Sequence, residues 1–139
     1  MQPMKFVVAP RAVHCEPVDA AVSTPADPLR EYVHFGYDTR NAFWFFAPDK
    51  DIRYPQPRFT SSMRRDGNQH FLRIEAESFL RDVCIFVDRF DPDATVSEQL
   101  VTLFPGDGFT FVIKSKRELT LEQLTTAPVF RCVNPFGRG

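Results

Sequence analysis

Apolar and polar residues alternate with a period of two along much of this chain. Leu72, Ile74 and Ala76 alternate with Arg73, Glu75 and Glu77, the pattern of a strand with one face buried and the other in water. Asp66-Gly67 just upstream supplies a hairpin turn, with Arg58 to Arg65 as the partner strand. Val83, Ile85 and Val87 alternate with Cys84, Phe86 and Asp88. Both faces are largely apolar there, which puts this strand in the middle of its sheet. Leu100 to Phe104 and Phe109 to Lys114 flank Pro105-Gly106-Asp107-Gly108 and read as a second hairpin, with Phe109, Phe111 and Ile113 facing the core. Glu31 to Tyr37 and Phe43 to Phe46 read as two strands around Asp38-Thr39-Arg40-Asn41, and Lys5 to Val8, stopped by Pro10, as a first edge strand.

Helical signals are sparse. Leu119 to Thr125 is the one candidate, a single turn N-capped by Thr120 with Leu121 and Leu124 three residues apart. Short strands separated by turn signals every ~8–12 residues predict an all-β fold. The expected architecture is an immunoglobulin-like antiparallel β-sandwich of about seven or eight strands, with at most one short helical turn. No repeat, low-complexity tract or linker divides the chain, so residues 1–139 read as a single domain.

Composition agrees with a thick core and stiff connections. The chain has fifteen Phe and twelve Pro against six Gly, and proline fixes φ where chains turn. A formal net charge of −1 provides no field to gather nucleic acid. The nearest basic run, Lys114 to Arg117, is broken by Ser115 and alternates between strand faces. No stretch approaches the ~20 apolar residues that cross a bilayer as a helix. Neither nucleic acid nor a membrane is expected as a partner. Cys15, Cys84 and Cys132 are odd in number and lack paired ligand spacing. They read as free thiols, which favours a reducing, cytoplasmic setting.

Catalytic constellations are hard to assemble from these residues. His14, His34 and His70 fall in unrelated segments, and no nucleophile elbow occurs. Glu75 and Glu77 share the polar face of one strand, where nothing would separate their proton affinities as a glycosidase pair requires. Asp91-Pro92-Asp93 has the composition of a turn, and its spacing is far from a calcium loop. No metal ligand set and no cofactor are expected. Sugars bind by stacking on exposed aromatic planes, and Trp44, Tyr37 and Tyr54 are the candidates for such a platform. Trp44 lies within Phe43-Trp44-Phe45-Phe46, however, and alternation there favours a ring buried between sheets.

Two spaced passages carry a resemblance. Phe45-Phe46-Ala47-Pro48-Asp49-Lys50-Asp51-Ile52 with Pro55-Gln56-Pro57, and Ser97 through Asp107, resemble passages near the end of β-mannosidases of glycoside hydrolase family 2. Phe71 to Val87 between them resembles that family's strand pair, and coverage is best over residues 43–113. The chain departs from the pattern at Glu98-Gln99, where the family has Asp-Asn, and at Val101, where it has an aromatic.

The resemblance implies a C-terminal immunoglobulin-like domain cut from a larger enzyme that hydrolyses terminal β-mannosides. Its partner would be the parent's catalytic barrel, packed against one sheet. The family's catalytic glutamates lie in that barrel, and no segment here matches their surroundings, so no catalytic residue is carried over. The excised module is expected to be inactive and to expose an apolar patch that the parent covers. The alternatives are a carbohydrate-binding module that takes an oligosaccharide on its aromatics, and a domain that recruits a protein along a sheet edge.

Overall fold

Backbone pairing in this protein is antiparallel throughout its three sheets. The computed structural model describes residues 7–37 and 40–136. They group into two compact units, Met1–Arg53 and Tyr54–Gly139.

In the first unit, Asp19 caps a single helical turn, α1 (Ala20–Ser23), by accepting the Ala21 N–H. Strands β1 (Tyr32–Tyr37) and β2 (Arg40–Phe45) then form a two-stranded ladder in which Val33 faces Trp44 and Phe35 faces Ala42. β2 begins three residues earlier than the sequence reading, and the turn residues Asp38 and Thr39 lie outside the described residues. β2 ends before Pro48, which starts a 3-10 turn over Asp49–Asp51. Of the expected edge strand over 5–8, Val7 and Val8 are exposed and unpaired by strand, and the rest lies outside the described residues.

The second unit is the sandwich. β3 (Phe59–Asp66) and β4 (Gln69–Ala76) form the expected hairpin, closed by Gly67 at φ 57 and Asn68. A positive φ at the first turn position suits glycine. The chain next enters a second sheet as β5 (Leu80–Ile85), returns to the first as β6 (Thr95–Val96), and crosses again as β7 (Val101–Leu103). β8 (Gly108–Lys114), the helical turn α2 (Leu121–Thr125) and β9 (Phe130–Arg131) complete it. The strand orders are β3-β4-β8-β6 and β7-β5-β9.

β5 is therefore central, as its two apolar faces required. The expected hairpin of 100–104 with 109–114 does not form. β8 pairs with β4, matching Leu72 to Phe111, while β7 pairs with β5 in the other sheet. Pro105-Gly106-Asp107 is thus a corner between sheets. Gly106 there takes φ 92, its N–H donates to the Ala76 carbonyl, and the Asp107 carboxylate accepts the Phe104 N–H. Leu72 and Ile74 of β4 and Phe111 and Ile113 of β8 share one face, and pairing the two strands buries it.

One core links the two layers. Leu72, Ile74, Phe111 and Ile113 from the first sheet meet Leu80, Val83, Ile85 and Phe130 from the second, all with 0% exposure. Each such side chain contributes about 1.5–3 kcal/mol. Phe59 of β3 stacks on Phe130 of β9 with ring centroids 4.5 Å apart, which ties the layers at one edge. α2 is the helix expected over 119–125. Thr120 accepts the Gln123 N–H while Gln123 accepts the Thr120 N–H, a capping box that starts the turn and lets Leu124 enter the core.

Candidate functional site

The β1–β2 register divides the aromatic residues of the first unit between two faces. Tyr32, Phe43 and Phe45 share one, where Tyr32 and Phe45 meet edge-on at 6.0 Å and Phe43 and Phe45 at 5.3 Å. Val33, Phe35 and Trp44 share the other. Trp44 is 66% exposed and Phe35 41%. The buried tryptophan expected between sheets is not found. β2 pairs with β1 in a two-stranded sheet, and its alternation places Trp44 on a face of that ribbon.

Together with Phe46, Val18 and Ser23, these residues line a cleft of about 440 Å³ in which Ser23 is the one polar side chain. Such a surface binds by removing apolar area from water, and offers almost nothing to read hydroxyls with. No described residue of this unit is buried, although its strands are rich in Phe, Tyr, Trp and Val. A two-stranded ribbon with apolar faces and no core of its own is marginal in water.

The other sugar-platform candidates fall elsewhere. Tyr54 belongs to the second unit and is half-buried. Its ring stacks on Phe79 at 6.2 Å and 11°, and its hydroxyl accepts a hydrogen bond from Arg81 at 2.9 Å. That tyrosine is built into the scaffold. The side chain of Tyr37 lies outside the described residues. Neither unit holds both Trp44 and Tyr54.

In the passage 97–107, polar side chains hold backbone. Ser97 Oγ accepts the Val112 N–H, and the Gln99 amide bonds both backbone groups of Ile85 at 2.9 Å. Thr102 Oγ1 accepts the Asp82 N–H and donates to the Asp82 carboxylate. These bonds close a bulge, where β5 carries one residue more than β7 between the pairs Leu80–Leu103 and Val83–Val101 and Asp82 takes φ 51. Asn134, 2% exposed, holds the C-terminal segment to the Arg81, Pro55 and Phe79 backbone. In the sequence Gln99 stood out only as a departure from the family pattern, and Asn134 not at all. Neither sits in a periodic pattern, and their partners are distant in the chain.

The three histidines lie apart. His14 pairs with Glu16 at 2.8 Å and His34 with Asn41 at 3.0 Å, both exposed, while His70 is buried in β4. Glu75 is exposed and lies 3.4 Å from the Arg73 guanidinium. Asp91 is buried as the first residue of its turn and accepts from Ser115 and Asp93. Cys84 and Cys132 are free thiols, and burial pushes Cys132 up to about 11. Among the described residues, no group of three His, Cys, Asp or Glu could hold a metal ion. Among the same residues, no helix is long and apolar enough to cross a membrane.

No family model matches the chain, and no curated protein matches it at a significant level. The resemblance to β-mannosidases rests on the residue passages themselves.

Proposed function

We propose that this chain is a non-catalytic accessory module of a larger glycoside hydrolase of the β-mannosidase type. Its sandwich is the scaffold, and the Trp44 face of the β1–β2 ribbon docks on the rest of the parent. The observation that carries this reading is the ribbon itself, with Trp44 66% exposed, an apolar cleft beside it and no described residue buried. An apolar surface of this kind marks a contact with another body. The resemblance supports it further, because the side chains of Ser97, Gln99 and Asp107 in its second passage hold backbone groups.

The gene tests the proposal directly. Read upstream, it should encode a (β/α)₈ barrel with two glutamates at strand ends. A gene encoding this chain with no glycosidase barrel would overturn the reading.

Exposure of Trp44 also favours a second reading, a module that stacks a sugar ring on the indole. Calorimetric titration with manno-oligosaccharides at millimolar concentration separates the two. The docking reading expects no heat. Binding that Trp44→Ala removes, with the sandwich still folded, would instead make this a carbohydrate-binding module.

A further inference from the structure

His70 is the second residue of β4, with 0% exposure, flanked by Arg65 across β3 and Ile113 across β8. Its Nε2 accepts the Leu119 N–H at 3.3 Å. That bond fixes the neutral ring's proton on Nδ1, which is buried. Leu119 is 3% exposed and directly precedes the Thr120 cap of α2, so the bond holds the lead-in to the helical turn that delivers Leu124 to the core. Ser115 N–H donating to the Asn68 carbonyl fixes the same connection at its start.

Among the described residues, the charges facing the ring are Arg65 on β3 and Glu118 just before Leu119; β8 presents the backbone of Ile113. Arg65 and Glu118 are themselves paired at 3.1 Å. We propose that His70 is an acid-released latch. A proton taken from water by the Nε2 lone pair converts the acceptor into a donor. The imidazolium then cannot receive the Leu119 N–H, and Leu119 with α2 detaches from the sandwich.

Burial, followed by the Arg65 charge, lowers the proton affinity of the closed form below the ordinary value of 6.5, against the smaller pull of Glu118 and the Ile113 carbonyl. A lowered value in the closed state means that the latch holds above about pH 6.5 and weakens as pH falls. The equilibrium for opening should rise as pH falls below about 6.5, by about fivefold over the first unit and toward about tenfold per unit beyond it, until the ring charges inside the closed form.

Nuclear magnetic resonance on the full chain tests this. Long-range nitrogen spectra at pH 7.5 should place the ring proton on Nδ1. Exchange protection of the Leu119 and Leu124 amides, corrected for intrinsic rates, should lie below that of Leu72 and Phe111 and fall about fivefold between pH 6.5 and 5.5. His70→Gln, which keeps an acceptor that does not titrate, should abolish that fall with pH; if it fails to fold, the wild-type series decides alone. A proton on Nε2, protection at Leu119 equal to that of Leu72 and Phe111, or protection at Leu119 that does not change across this range would overturn the latch.

Discussion

The side-chain amide of Gln99 stands in for a neighbouring strand at Ile85. Its oxygen accepts the Ile85 N–H and its nitrogen donates to the Ile85 carbonyl, both at 2.9 Å. β7 pairs with β5 no further along than Val83, so the amide extends the ladder where backbone cannot follow. Gln99→Leu leaves both groups to water or to nothing and should cost about 1–2 kcal/mol, read as a lower denaturant midpoint. Gln99→Glu should also destabilise, since a carboxylate cannot donate to the carbonyl. An unchanged midpoint in both variants would mean that the clamp contributes nothing.

Asn134 performs a tighter version of the same task. Its Oδ1 accepts the Arg81 N–H at 2.8 Å, and its Nδ2 donates to the carbonyls of Pro55 and Phe79 at 2.9 and 2.7 Å. Asn134→Ala should cost about 2–4 kcal/mol, because three backbone groups lose a partner that is itself buried. Asn134→Asp places a carboxylate against two carbonyls, so its deficit relative to wild type should be larger at pH 7 than at pH 4. Urea titrations at the two pH values check this.

Asp91 gives the acid limb of stability a defined source. The Ser115 hydroxyl donates to it at 2.5 Å and, opposed by burial, holds its carboxyl below the ordinary value of 3.8. A depressed value in the folded state adds stability above the unfolded value, and that stability is lost as pH falls through the folded one. Asp91→Asn should therefore be less stable than wild type at pH 6, with the gap narrowing below pH 4. A gap that stays constant with pH would remove Asp91 from the account.

Thiol reactivity separates the cysteines. Cys15 is exposed, Cys84 is buried, and Cys132 is raised to about 11 by burial. Because the thiolate is the reacting form, iodoacetamide at pH 8 should label Cys15 first and Cys132 far more slowly, with all three labelled in denaturant. Mass spectrometry follows the order. Equal rates at Cys15 and Cys132 in the folded protein would contradict it.

The sandwich was legible because its code is local. Alternation at 72–77 and 109–113, a central strand apolar on both faces, and a Thr120 cap each report on neighbours in sequence. The corner at Pro105–Asp107 was not, since the residues of a tight hairpin and of a turn between sheets are alike. What decides is which strand offers β8 the better apolar face, and β4 lies distant in the chain. Trp44 misled for a related reason. Phe43-Trp44-Phe45-Phe46 fits a core strand by composition, yet β2 has one strand partner and its ring remains 66% exposed. Gln99, Asn134 and His70 work through partners 14, 53 and 49 residues away, respectively, a range at which periodicity carries no signal.

The sandwich owns its core, and the docking role requires a ribbon that waits for a partner. Residue-resolved hydrogen exchange on the whole chain measures both at once. Amides of Leu72, Ile74 and Phe111 should exchange only at the rate of global unfolding, while those of Val33, Phe35 and Trp44 should exchange at least about 100-fold faster. Equal protection in the ribbon and in β4 would show that β1–β2 is already held, and would contradict the docking role.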